Sequence, residues 1–136
     1  MVYEFEVPGK IIGKGRPRVN SYTGIVYTPT KTKDYEYLIE EYFLLKYPKF
    51  KPIESRIKVT IKACLSIPKN TRKSEKEEML NNIISPTKKP DIDNIVKIVL
   101  DAMNKFAFKD DNQITKLEVE KIYGEEEKLK IIIEEY

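Results

Sequence analysis

The run Lys88-Lys89-Pro90-Asp91-Ile92-Asp93-Asn94-Ile95-Val96-Lys97 carries the chain's most legible chemistry. Two carboxylates stand two positions apart where an extended segment held by Pro90 meets what reads as the first turn of a helix. At such a bend Asp91 and Asp93 can converge on one point. Lys97 follows Asp93 by four residues and shares its helix face. A further acidic pair, Asp110-Asp111, falls in a loop at the far end of the same helix-plus-turn unit. Three carboxylates without histidine suit a hard cation such as Mg²⁺ or Mn²⁺, which keeps waters and leaves room for phosphate oxygens. Such an ion lowers the pKa of a bound water and offsets charge at phosphorus, which is what phosphodiester hydrolysis needs. A lysine alongside can orient the water or neutralise the phosphate.

Each piece also has a structural reading. Asp91 or Asp93 can cap a helix and complement its dipole. Asp110-Asp111-Asn112 is ordinary turn chemistry, and Lys97 can simply pair with Asp101 four residues on. A lone D-x-D also occurs in nucleotide-sugar transferases. An EF-hand is excluded, because the Gly and Glu are missing from the required offsets.

Composition removes other chemistries. The 136 residues include no His and one Cys, Cys64, so catalytic triads, Cys/His pairs, His metal ligands, Cys-rich zinc sites and intramolecular disulfides are excluded. Hydrophobic residues make up 40% and charged residues 35%, as in a globular chain. The net charge of +3 is unevenly spread: residues 1–90 hold 18 basic and 10 acidic side chains, residues 91–136 hold 7 and 12. A basic stretch followed by an acidic one suggests a polyanion-binding surface beside a carboxylate cluster. The opening Met1-Val2-Tyr3-Glu4-Phe5-Glu6-Val7 lacks the basic-then-apolar order of a secretion signal, and no apolar run is long enough to span a membrane. With its single Cys, the chain is expected in the cytoplasm.

The elements that must hold these residues follow from periodicity. Residues 2–7 alternate as a strand, which Ile11-Ile12 can continue beyond Pro8-Gly9. Gly13-Lys14-Gly15-Arg16-Pro17-Arg18 reads as a mobile basic loop, and residues 25–28 as a short strand. Thr30 is placed to cap a helix running to about Lys46. In residues 56–66, Ile57, Val59, Ile61, Ala63 and Leu65 alternate with polar neighbours, the pattern of a half-buried strand. Ser74-Glu75-Lys76-Glu77 reads as a capping box opening a short helix to about Asn82. Ile92, Ile95, Val96, Val99, Leu100 and Met103 mark the buried face of a helix over 92–104. Residues 114–122 and 128–134 read as closing strands around a turn at Gly124. The order predicts one α/β (α+β) domain over 1–136, with a mixed sheet of four to six strands and two main helices.

Taken together, Lys89-Pro90-Asp91-Ile92-Asp93-Asn94-Ile95-Val96-Lys97, Asp101-Ala102-Met103 and Phe108-Lys109-Asp110-Asp111-Asn112-Gln113-Ile114 resemble the RusA family of Holliday junction resolvases. Lys14-Gly15-Arg16-Pro17-Arg18, Tyr27-Thr28-Pro29 and Lys31-Thr32 resemble the basic opening of the family's prophage branch. The resemblance implies a homodimeric, Mg²⁺-dependent endodeoxyribonuclease of mixed α/β fold that makes paired nicks across a four-way junction in recombination and repair. It assigns the catalytic, metal-holding acids to Asp91, Asp93 and Asp111, and the functional lysine to Lys97. Spacing alone does not separate Asp110 from Asp111. Phosphate contacts are expected from Lys14, Arg16, Arg18, Lys31, Lys33, Lys88 and Lys89. The rival readings are a non-catalytic nucleic-acid-binding module, whose acids only cap and turn, and a nucleotide-handling transferase.

Overall fold

The computed structural model describes residues 1–136. Strand β1 (Val2–Pro8) is followed by the short strands β2 (Arg18–Val19) and β3 (Val26–Tyr27) and by helix α1 (Thr30–Lys46). Strand β4 (Ile57–Ser66), helices α2 (Lys73–Leu80) and α3 (Ile92–Met103), a 3₁₀ turn over Asp111–Gln113, and strands β5 (Ile114–Gly124) and β6 (Lys128–Glu135) complete the chain. The main sheet has the order β1-β6-β4-β5, and β2 pairs with β3 in a separate ribbon. Strand β6 lies antiparallel to both β1 and β4, whereas β5 runs parallel to β4 after the α2–α3 crossover. The α+β class and the mixed sheet are those read from the sequence.

One face of the sheet carries the core. The alternation of β4 buries Ile57, Val59, Ile61, Ala63 and Leu65, as its period of two requires. Phe5 and Val7 of β1 and Leu129, Ile131 and Ile133 of β6 join them. Helix α1 adds Tyr35, Ile39 and Phe43, and α3 adds Ile95, Ile98, Val99, Ala102 and Met103. The opposite face is open, and its charges are paired across strands. Lys58 meets Glu118 at 3.0 Å, Lys62 meets Glu120 at 3.8 Å, Lys128 meets Glu6 at 2.8 Å and Lys130 meets Glu4 at 3.9 Å. The hydrogen bond from Lys128 holds the Glu6 carboxyl below its ordinary pKa. This face is a solvated, internally neutralised surface.

Four local expectations need correction. Ile11-Ile12 do not extend β1, because Gly9 takes φ +98° and turns the chain away. Thr30 is the first residue of α1, after Pro29 at the N-cap position, and does not cap it. Ser74 lies inside α2, whose N-cap position is Arg72, so the box pattern falls out of phase with the helix. On α3 the buried stripe is 95-98-99-102-103: Ile98 and Ala102 are inside, Ile92 is exposed, and Val96 and Leu100 are half-buried. The helix packs against α1 and the sheet along that stripe. Helix α2, the short helix expected here, buries no residue.

Strands β5 and β6 follow each other in sequence but not in the sheet, so the link between them crosses the end of β4. Gly124 pairs opposite Ser66 there, and a Cβ on Gly124 would overlap Cys64 Sγ. Gly124→Ala should therefore cost about 1–3 kcal/mol by overpacking. In a Cys64→Ala background most of that cost should vanish, a coupling readable as a double-mutant cycle in urea unfolding. An undiminished cost would show that Cys64 is not what the glycine avoids.

Candidate active site

Helices α1 and α3 begin at the same end of the molecule, and residues 9–15 run across both N-termini. Glu127, in the β5–β6 link, starts this path by accepting the Ile11 N–H at 2.7 Å and the Ser66 hydroxyl at 3.1 Å. Lys14 N–H then donates to the Asn94 carbonyl of α3 at 2.9 Å, and Gly15 N–H donates to Thr32 Oγ1 of α1 at 3.0 Å. Glycine is required at both neighbouring positions. A Cβ on Gly13 would lie 2.9 Å from Pro90 Cβ, and one on Gly15 would lie 2.8 Å from Thr32 Oγ1. The segment expected to be a mobile loop is thus pinned over residues 13–15 between two helix ends.

Lys14 is the second pin. Its ammonium meets Glu36 of α1 at 2.5 Å and Asp101 of α3 at 3.0 Å, with the side chain mostly enclosed. Burial alone would lower its pKa. The hydrogen bonds it donates to Glu36 and Asp101 outweigh burial and hold it above the ordinary lysine value. The sequence counts Lys14 among the phosphate-binding cations, but the structure commits its charge inside the protein. Asp101 also receives Lys97 at 3.6 Å, so one carboxylate fixes both the loop lysine and the helix lysine. Lys97 itself stays exposed.

The other expected cations behave differently. Arg16, Arg18, Lys31, Lys33, Lys88 and Lys89 are exposed, and none forms an ion pair. Lys88 Nζ rests 5.6 Å above the Tyr123 ring, and the Lys88 carbonyl accepts a bond from Lys121 Nζ. These cations surround the N-terminal ends of two helices, whose backbone donors and dipoles also favour anions. Asp91 and Asp93 lie among them, both exposed. Asp91 occupies the N-cap position of α3 with extended backbone, but its carboxylate makes no capping bond. Asp93 accepts the N–H of Asn94 at 2.9 Å. Asp91 is therefore not spent on the capping role that its position allows.

Asp110 and Asp111 stand elsewhere. Lys109 N–H donates to the Ile53 carbonyl, and Gln113 Nε2 donates to the carbonyls of Ile53 and Ser55. These bonds tie the segment to the start of β4, beyond the C-terminal end of α3. Asp110 is committed to a capping box with Gln113, whose Oε1 accepts the Asp110 N–H at 2.8 Å. Asp111 is exposed. The length of α3, about 18 Å for its 12 residues, separates Asp111 from the Asp91–Asp93 end. Within one chain the three acids do not form a cluster, and no group of three carboxylates is close enough to hold a metal ion. A three-carboxylate Mg²⁺ site does not fit the residues as one chain arranges them.

The sequence match decides what kind of protein this is. The family model for Endodeoxyribonuclease RusA matches residues 8–134. The chain belongs to the RusA endodeoxyribonuclease family. It is also similar, at 34% identity over 97% of this chain and 95% of the relative, to a Bacillus subtilis (strain 168) protein described as "Uncharacterized protein YqaN". The RusA match encloses both ends described above, the Asp91–Asp93 end with its basic collar and the distant Asp111. RusA membership makes the chain a nuclease acting on DNA.

Sequence reasoning passed over Glu36 and Glu127 as clamps, and read Asp101 only as the i,i+4 partner of Lys97, which it is. The only signal for the Lys14 clamp was the Gly13-Lys14-Gly15 spacing, whose close approach to helix ends is a long-range fact. The division of labour is measurable. Lys14→Met leaves Glu36 and Asp101 facing each other and should cost about 1–3 kcal/mol in urea unfolding. The Arg16→Ala/Arg18→Ala variant should melt like the parent. Its DNA affinity should fall, and the slope of log K against log salt should shrink by about one for each phosphate no longer neutralised.

Proposed function

We propose that residues 1–136 act as one structure-selective endonuclease domain that cuts four-way DNA junctions by hydrolysing paired phosphodiester bonds. The setting would be cytoplasmic DNA recombination and repair. In this reading the chain works as a homodimer, with Mg²⁺ as the cofactor and Mn²⁺ able to replace it. Arg16, Arg18, Lys31, Lys33, Lys88 and Lys89 hold the phosphate backbone at the joint N-termini of α1 and α3. Asp91 and Asp93 face the bound strand, and Lys97, steadied by Asp101, neutralises charge at the phosphate under attack. The observation that carries this reading is an exposed carboxylate pair, with Asp91 free of any capping bond, amid unpaired cations in a chain of an endodeoxyribonuclease family.

Two-fold symmetry links the dimer to the third acid. A junction offers two related strands to two related sites, and an isologous dimer places any patch i of one copy against patch j of the other in both directions. Asp111, distant from Asp91 and Asp93 in its own chain, can then serve the partner's pair. Direct measurement of activity separates this reading from a module whose acids only cap and turn. The parent should nick a synthetic four-way junction in Mg²⁺, should be silent in EDTA and should leave a linear duplex largely uncut. Asp91→Asn and Asp93→Asn should lose nicking while binding the junction in EDTA as tightly as the parent or slightly better, because a like charge facing phosphate is removed. Parental nicking by both variants would mean that the acids only cap and turn.

A further inference from the structure

The β2–β3 ribbon has a surface that neither its fold nor charge attraction explains. It is held by only two residue pairs, Arg18 opposite Tyr27 and Val19 opposite Val26. Paired residues share a face, so Val19 and Val26 form an apolar side, and they are 63% and 62% exposed. Ile25 is equally open, and Tyr22 at the apex is 96% exposed. The tip is nonetheless built. Asn20 Oδ1 accepts the N–H groups of Tyr22 and Thr23 at 2.8 and 3.2 Å, and Gly24 N–H donates to the Asn20 carbonyl at 2.8 Å. Gly24 takes φ +69°, the left-handed conformation that closes the loop. An apolar, aromatic apex held ready by its own hydrogen bonds binds with little ordering cost.

Its surroundings select the partner. Arg16 and Arg18 lead into the ribbon, and Lys31 and Lys33 stand just after it at the start of α1, all without acidic partners. Two ribbons meeting tip to tip would bring these like charges together. A polyanion that also exposes flat apolar surface satisfies both features. Base faces stack on aromatic side chains, and apolar wedges part base steps. In continuous duplex those faces are buried in the stack, whereas at a branch point stacking is interrupted. We propose that the ribbon is the branch-point reader: Tyr22, at the apex beyond the exposed Val19–Val26 side, stacks on the bases at the centre of the junction. The flanking cations hold the arms and contribute affinity for any DNA shape. This rests on the junction-cutting reading above and assigns its shape selectivity to an element outside the carboxylate end.

The test uses the full chain in EDTA, so that cleavage does not enter. Binding to a four-way junction and to a linear duplex of equal length is measured for the parent, Tyr22→Phe and Tyr22→Ala, with 2-aminopurine at the branch point reporting unstacking. The expected result is a parental preference for the junction, with brightening of the probe. Tyr22→Phe should keep both. Tyr22→Ala should lose about tenfold in junction affinity and most of the brightening, with duplex affinity and melting temperature unchanged. Junction preference and brightening retained in Tyr22→Ala overturns the ribbon's role while leaving the nuclease reading intact. A change of sedimentation in Tyr22→Ala without loss of preference overturns it in favour of an interface between copies. A parent without junction preference overturns both.

Discussion

The end of this molecule where α1 and α3 begin depends on one ion-pair triad. The Lys14 ammonium bridges Glu36 of α1 and Asp101 of α3, and the glycines on either side let the backbone lie against both helix ends. Those contacts fix the N-termini of α1 and α3 relative to each other. They also set where Arg16 and the β2–β3 ribbon emerge, and through Asp101 they steady Lys97. Without the bridge, two carboxylates would face each other in a partly buried space, which opposes close packing of the helices. The arrangement has an expense: a cation in the most basic segment is committed inside the protein, while its neighbours Arg16 and Arg18 stay exposed.

The sheet serves the same end from behind. Its open face neutralises charge in cross-strand pairs, whereas Arg16, Arg18, Lys31, Lys33, Lys88 and Lys89, near the starts of α1 and α3, stay unpaired. The β5–β6 link, forced across the end of β4 by the strand order, brings Glu127 to the start of the basic segment.

Strict periodicity is readable where a single face is buried. Strand β4 alternates without exception, and α1 has the bounds that its apolar spacing and flanking prolines imply. Helix α3 is readable as a helix but not as to its face, because its apolar residues outnumber one stripe. Ile92, Val96 and Leu100 fit helical spacing as well as Ile98 and Ala102, and only packing against α1 separates them. The motifs locate the acids along the chain and put Asp111 at the far end of the helix unit. That α3 keeps Asp111 from Asp91 and Asp93 follows from where the chain goes after Met103, which local pattern does not encode. The commitment of Lys14 is equally hidden, since Glu36 lies 22 residues away from it.

The central claim is that the Asp91–Asp93 end of one copy and Asp111 of a second copy form one nuclease site. Subunit mixing tests it most directly. An Asp91→Asn chain and an Asp111→Asn chain, each inactive alone, are co-refolded with different tags, and the doubly tagged mixed dimer is isolated. In that dimer the Asp111→Asn chain keeps Asp91 and Asp93, and its partner keeps Asp111, so one complete site is restored. The account predicts recovered Mg²⁺-dependent nicking of the four-way junction, one strand per binding event. A mixed dimer as inactive as either parent variant would contradict it.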